Sequence, residues 1–487
     1  MNLRTLSAGL IIKDSGGNLD VDIRKIHCDS RKVRPGDLFA VIVDMYRDGR
    51  TYIQNAIDAG AIALLVSENP GEVSVPWIRV PQVAAAMGPM CAKLLGGEPA
   101  LELIGVTGTN GKTTTCHLLE AILLTAGRIP GFVGTTAGAR YAGKTVSTGL
   151  TTPEAPELHE LFADMRENGV NSVAMEVSSH GIALKRVEGC DFTVGVLTGI
   201  GSDHLDFHGD HTNYVETKVN WLLGEVQANP ACKGVVVPND DDGGLEVLSE
   251  FRKKILTFGP DDSADIYPDQ IDMSPSGTRG RIATPVGTLT LDVRLPGRHN
   301  VRNAMAAIGA ALLLDVEPIA IVDGLMRVSG VPGRLQGIPN ERGIHVVVDY
   351  AHTPDALETA LASLRELSSG RLIVVFGCGG DRDRAKRPKM GAIAYNGADL
   401  IVMTSDNPRN EDPGAILDEI VLGLPVDADP SNFVVEVDRR QAIQYAVQQA
   451  AAGDTVLIAG KGHEVGQVVG DVVNPFDDRV VAAEALA

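Results

Sequence analysis

The stretch Gly105–Thr115, GVTGTNGKTTT, follows the largely apolar run Leu101–Ile104 and holds three glycines, one lysine and a run of hydroxyl residues. A strand that breaks into a glycine-rich loop and then into a helix lets the backbone approach an anion closely. The free N–H groups and positive dipole end of the helix face that anion. Lys112 adds a mobile point charge, and Thr113 offers a hydroxyl to Mg²⁺. The spacing departs from the common GxxxxGK[ST], because Val106 stands where the first glycine falls and Gly105 and Gly108 serve instead. A glycine-rich turn without a ligand is the bland alternative, and it gives no reason for Lys-Thr at the start of a helix. The loop is therefore read as binding a nucleoside triphosphate through Gly108, Thr109, Asn110, Gly111, Lys112, Thr113 and Thr114.

Outward from this loop, short apolar runs alternate with longer amphipathic stretches, the pattern of parallel strands joined by crossover helices. The chain is expected to be α/β. Polar clusters follow the runs: VNSVAM leads into EVSSH, VGVLTGI into GSDHLDFH, HVVV into DYAH, LIVVFG into CGGDRDR, LIVMT into SDNPR, and TVLIA into GKGHE. In open α/β sheets ligands gather outside the carboxyl ends of strands, so these clusters are expected to converge on one or two clefts.

At 487 residues the chain exceeds a single core, and about 150 residues per domain suggests roughly three. Glycine and proline near residues 96–99 and 330–333 set the expected domains at 1–99, 100–331 and 332–487. The net charge of -20 excludes a general nucleic-acid binder, which needs a dominant basic surface. Any phosphate must be captured locally. The six cysteines form no CxxC pair, which fits a reducing cytoplasm. The N-terminus reads as mature protein, and no apolar run reaches the ~18 residues of a membrane span.

Eleven segments, GVTGTNGKTTT, TTPEAPEL, MEVSSHGIALKRV, SDHLDFHG, PGRHNVRNAMAA, VPGRLQ, VDYAHTPDAL, VFGCGGDRDRAKRPKMG, SDNPRNEDP, AGKGHE and FDDR, resemble the Mur ligases in order and spacing. The resemblance runs from DSRKVRPGDLF to FDDR. It implies three domains: an N-terminal one for a UDP-sugar peptide, a central P-loop ATPase-like one, and a C-terminal Rossmann-like one for an amino acid. It also implies an ATP-dependent amide-bond synthetase of cell-wall assembly, acting through an acyl phosphate and a tetrahedral intermediate. That chemistry requires cations to quiet charge, groups that position the amine, and anchors for two charged substrates.

The resemblance makes Glu176 and His204 Mg²⁺ ligands beside Thr113, with Lys112 and Lys218 completing the catalytic set. Alone, a carboxylate at a strand end is more often a cap. Lys218 is implied to carry a carbamate formed with CO₂ (N6-carboxylysine), an anionic ligand for a second Mg²⁺; a surface lysine is the plain alternative. His204, His208 and His211 also have helical spacing, but a hard cation suits a triphosphate better than zinc does. For ATP the implied contacts are Asn300, Asn303, Arg334, Asp349 and His352, reaching from two domains. For the UDP-muramoyl dipeptide they are Ser30, Thr151, Thr152, Ser178 and Arg186, although Ser and Thr before Pro also form ordinary turns. Arg382, Asp406, Asn407, Pro408, Arg409, Gly460 and Glu464 resemble the pocket of the type that takes meso-diaminopimelate. Its second ammonium–carboxylate end suits Arg409 for the carboxylate and Glu464 with Asp406 for the ammonium. L-Lysine lacks that carboxylate.

The pattern breaks at Gly199, where the family commonly has asparagine, at Trp221 beyond Lys218, at His299, and at Gly466 ahead of Gln467. FAVIVDMYRDGRTY also lacks a glycine before its DG pair. These departures leave open a related ligase with another amino acid or a non-cell-wall acceptor, and a nucleotide-controlled scaffold without catalysis. No nucleic-acid partner and no membrane insertion are expected, and the chain is expected to act as a monomer.

Overall fold

The computed structural model describes the whole chain except residues 45–46, 97–99, 136–137 and 202 and the side chain of Asp206. It forms two compact units, Met1–Tyr267 with Met305–Gly324, and Pro268–Ala304 with Leu325–Ala487. The expected boundary at residue 99 lies outside the described residues. Residues 268–304 and 325–331, expected with the central domain, fall in the C-terminal unit.

In the first unit, a five-stranded sheet runs in the order Asp14–Gly16, Trp77–Arg79, Ala63–Val66, Leu38–Ala40, Ile26–His27, and only the first strand is antiparallel to its neighbour. An eight-stranded sheet follows in the order Ile255–Phe258, Gly234–Pro238, Phe192–Leu197, Glu102–Thr107, Ser172–Glu176, Pro130–Gly134, Gly138–Tyr141, Lys144–Val146. Its first six strands are parallel, and the last two add an antiparallel hairpin. The central strands read as nearly continuous apolar runs because helices cover both faces; Ser172–Glu176 and Phe192–Leu197 are buried throughout. The glycine loop leaves Glu102–Thr107, between the neighbours Phe192–Leu197 and Ser172–Glu176, where the chain order changes direction.

Two helices position the site. Ala155–Glu167 starts with Pro156 in its first turn, which needs no N–H there, and buries Leu158, Leu161, Phe162 and Met165 along one stripe. His211–Trp221 is capped by Asp210, whose Oδ1 accepts the Asn213 N–H at 2.8 Å. It continues as a π-helical turn over Leu222–Val226, a form frequent at functional sites. Trp221, the departure seen in the sequence, is buried edge-to-face on Phe192 with centroids 5.0 Å apart.

In the second unit, a six-stranded sheet runs Gln336–Ile338, His345–Asp349, Thr455–Ala459, Leu372–Phe376, Leu400–Met403, Phe433–Val435; all but the first are parallel. A small antiparallel hairpin, Gly466–Val469 with Val472–Pro475, lies beyond the last parallel strand in sequence. Among the described residues, no helix is long and apolar enough to cross a membrane.

Candidate functional site

The helix Lys112–Thr125 starts at Gly111, which turns at φ 88°. At Gly108, φ is 141° and a Cβ would fall 2.0 Å from Thr198 Oγ1, so only glycine lets the loop lie against the neighbouring strand end. Thr198 Oγ1 donates to Asn110 O at 2.6 Å, and Thr109 N donates to Gly199 O at 2.9 Å. The Lys112 ammonium folds over the loop onto the carbonyls of Gly108 and Thr109, at 2.8 and 2.9 Å. Thr114 is buried in the first helical turn. Thr113 Oγ1 donates to Glu176 Oε2 at 2.8 Å, and Thr135 N donates to Glu176 Oε1 at the same distance. Glu176 approaches Gly134 so closely that a Cβ there would lie 2.2 Å from its Oε1. His204 holds a left-handed backbone, φ 54°, with its ring edge-on to His180 at 4.6 Å. His208 lies further from His180, at 5.9 Å, and His211 Nε2 turns to Gly201 O at 3.2 Å.

Lys218 is 1% exposed, and its Nζ lies 3.1 Å from the centre of the Tyr214 ring without a hydrogen-bond partner among the described residues. Burial, then the charge of Lys112, pull its pKa down to about 6, with Asp203 opposing. The amine is thus largely neutral near pH 7. Tyr214 in turn pairs its hydroxyl with Thr109 Oγ1 at 2.9 Å, tying this helix to the glycine loop.

Ser30 lines a cavity of about 1040 Å³ together with His27, Arg47, Tyr141, Glu154 and Glu157. Ion pairs join the five-stranded sheet region to the helix Ala155–Glu167 and its cap: Lys25–Glu160 and Arg47–Glu154, both at 3.0 Å. Glu154 also pairs with Arg186 at 3.3 Å, and Arg186 NH1 donates to Thr152 O at 3.3 Å. Thr151 lines a second cavity of about 370 Å³ and accepts from Thr135 Oγ1 at 3.0 Å. Thr152 is fully buried: its hydroxyl donates to Glu176 O at 2.9 Å and accepts from Ser178 N at 3.0 Å. It holds Glu176 and Ser178 in place from behind.

In the second unit, Asn303 Nδ2 donates to Asn300 Oδ1 at 3.1 Å, and Asn300 Nδ2 donates to Pro296 O at 2.8 Å. Asp349 accepts the N–H groups of Leu335 and Ala351 at 2.6 and 2.8 Å; burial pushes its carboxyl up while Arg334 opposes. The Arg334 guanidinium lies 5.1 Å over the Tyr350 ring, which packs on His352 at 4.5 Å. Burial lowers the His352 pKa.

Asp406, Asn407 and Pro408 are buried at the carboxyl edge of this sheet. Asp406 Oδ2 has no hydrogen-bond partner among the described residues, and Gly460 faces it, a Cβ there falling 2.6 Å from that oxygen. Arg409 sits at φ 51°, pinned by Arg409 N to Val468 O at 3.1 Å and Gly470 N to Arg409 O at 2.7 Å. Its guanidinium reaches Gly380 O at 2.7 Å, while the exposed Arg382 bonds Asp381 O at 2.9 Å. Asn407 Nδ2 donates to Glu464 Oε2 at 2.9 Å.

Sequence reasoning missed three residues. Thr135 is the first hydroxyl after the strand Pro130–Gly134, Tyr214 sits one helical turn ahead of Lys218, and Lys461 follows directly on TVLIAG. Their positions after apolar runs, or on the same helix face as Lys218, were the available signal.

A glycine loop whose helix-opening Thr113 donates to Glu176 in the first unit, and in the second unit a parallel sheet with the buried segment Asp406–Pro408 and Arg409 at its carboxyl edge, are the parts of an ATP-dependent carboxylate–amine ligase. Residues 22–93 match the Mur ligase family catalytic domain, 106–311 the Mur ligase middle domain, and 333–462 the Mur ligase glutamate ligase domain. A UDP-N-acetylmuramoyl-L-alanyl-D-glutamate--2,6-diaminopimelate ligase of Gloeobacter violaceus is 46% identical over 476 residues, 96% of this chain and 94% of that one. The solved structure of a ligase of that name superposes with a TM-score of 0.73 at 32% identity, covering 100% of this chain and 98% of the other. MurF ligase from Thermotoga maritima in complex with ADP shares the fold, with a TM-score of 0.63 at 19% identity over 96% of this chain and 97% of that one. The chain belongs to the Mur ligase family.

Proposed function

We propose that this protein adds meso-2,6-diaminopimelate to UDP-N-acetylmuramoyl-L-alanyl-D-glutamate at the expense of ATP, as a cytoplasmic monomer supplying peptidoglycan precursors. A carboxylate oxygen of the acceptor attacks the γ-phosphorus, giving an acyl phosphate and ADP. The amine of diaminopimelate then attacks the acyl carbon, and the tetrahedral intermediate releases inorganic phosphate and a proton to leave the amide. The loop N–H groups and Lys112 hold the triphosphate and offset charge moving onto the leaving ADP. Thr113, Glu176 and His204 offer the oxygen and nitrogen donors a divalent cation would take, and the Thr113–Glu176 hydrogen bond of 2.8 Å brings two of them together. Bound there, Mg²⁺ supplies neutralisation of phosphate and carboxylate charge.

The unpartnered, largely neutral Lys218 amine suits addition to CO₂, in which the N–C bond forms, a proton leaves and a carbamate anion remains. That anion would supply a further cation ligand. Ser30, Thr151, Ser178 and Arg186 serve the UDP-dipeptide, with Thr152 as their support. Asn300, Asn303, Arg334, Asp349 and His352 serve ATP. Diaminopimelate is read by Arg409 with Arg382 on its distal carboxylate, and by Asp406, Asn407, Gly460 and Glu464 on its ammonium side.

The observation that carries the amino-acid assignment is the pinned Arg409 beside an orphaned Asp406 oxygen. The test is phosphate release with ATP, the UDP-dipeptide and a panel of amino acids. Release with meso-diaminopimelate and little with L-lysine is expected; equal use of lysine removes the specificity assignment.

A further inference from the structure

The loop after Thr455–Ala459 carries a lysine that no step above uses. Lys461 is 0% exposed, although it lies beside Glu464, whose side chain keeps 33% of its surface. Its Nζ donates to Asn407 Oδ1 at 2.9 Å and to Glu464 Oε2 at 3.0 Å. Asn407 Nδ2 closes the triangle onto the same Glu464 oxygen at 2.9 Å, and Val468 N donates to Asn407 Oδ1 at 2.9 Å. Every polar atom of the Asn407 side chain is thereby oriented, since Oδ1 takes two donors and Nδ2 gives to an anion. Glu464 Oε1, in contrast, accepts no hydrogen bond from the described residues.

Burying an ammonium carries a large desolvation penalty, and apolar side chains of similar volume commonly serve stability as well or better. A lysine in this slot is therefore explained by geometry more than by stability. We propose that Lys461 is a positioning residue of the amino-acid pocket: it locks the Glu464 carboxylate and the Asn407 amide so that Glu464 turns its other oxygen to the incoming amino acid's ammonium. Lys461 itself is too deeply buried to touch that ligand. The inference rests on the assignment of Asp406, Asn407, Arg409 and Glu464 to the amino-acid pocket.

The experiment uses the full-length enzyme and its Lys461→Gln, Glu464→Gln and doubly substituted forms. Phosphate release is measured with each of the three substrates varied in turn, and thermal unfolding is followed alongside. Glutamine keeps a donor in the slot without the charge; methionine, similar in length, replaces it if Lys461→Gln does not fold. The expected result for Lys461→Gln is a KM for diaminopimelate raised about tenfold or more, with kcat held within about threefold. KM for ATP and for the UDP-dipeptide stays unchanged, and adding Glu464→Gln costs little further because the two residues act as one. A folded variant with unchanged KM for diaminopimelate overturns the inference, as do additive effects or a parallel rise in all three KM values. The wild-type control separates the two levels: if it ignores diaminopimelate the proposed function falls as well, whereas an active wild type with an unaltered variant removes this inference alone.

Discussion

At Lys218, burial and the neighbouring charge of Lys112 both disfavour the protonated amine, and the pKa falls to about 6. In the unfolded chain it stands near ~10.4, so between those values the unfolded state binds the extra proton. Stability therefore rises with pH from about 6 to about 10 on account of this one group. Lys218→Met should flatten that slope in bicarbonate-free buffer and raise the melting temperature at pH 7, while turnover drops by about 10³. Calorimetry across pH, paired with phosphate release, checks both; a variant that melts lower and still turns over contradicts the role. At Arg409 the backbone is held by two hydrogen bonds to the hairpin, so a substitution there tests the side chain with the backbone in place. Arg409→Lys replaces a planar fork with a point charge and should raise KM for diaminopimelate about tenfold or more, leaving KM for ATP as it was. Unchanged selectivity would remove the assigned role.

At the scale of elements, the helix Ala155–Glu167 does two tasks with its two faces. Its apolar stripe packs into the core of the eight-stranded sheet, and on its acidic face Glu160 pairs with Lys25. His159 belongs to the buried face, 6% exposed, with Nε2 4.0 Å from Cys190 Sγ. Burial lowers its pKa to about 4, against the opposing backbone carbonyl of Glu188. The unfolded imidazole titrates near ~6.5, so its share of stability is whole above that pH and is lost as pH falls from about 6.5 to about 4. His159→Gln should shrink that acid limb by about one proton in the pH slope of urea unfolding between pH 7 and 4.5. An identical slope would show that the imidazole already carries a proton in the folded state. The hairpin Gly466–Pro475 is a second element with a function beyond its own pairing: Val468 and Gly470 fix Arg409, and Gln467 Nε2 holds Asp406 O at 2.8 Å. The Gly466 departure leaves this contact intact because it is made by the next residue.

Across the whole molecule, what was legible in the sequence was whatever lies within one strand-loop-helix step. The parallel strands announced themselves by apolar runs, and Lys112 and Thr113 by the glycine loop ahead of them, whereas the roles proposed for Glu176 and Arg409 came from the resemblance to the Mur ligases. Contacts between distant segments left no such mark. Arg47 and Glu154 meet across 107 positions, and Asn407 meets Lys461 across 54. Thr152 read as a ligand-facing hydroxyl, whereas burial turns it inward onto Glu176 and Ser178. Gly199 stands where the family commonly has asparagine, yet its carbonyl anchors Thr109, a contact that needs no side chain. The central claim concerns bond order: an acceptor oxygen must bond to phosphorus before the amide forms. Labelling both carboxylates of the D-glutamyl residue with ¹⁸O and analysing the released phosphate by mass spectrometry tests it directly. Transfer of one labelled oxygen to phosphate per amide formed is the predicted result, and unlabelled phosphate accompanying full amide formation would contradict it.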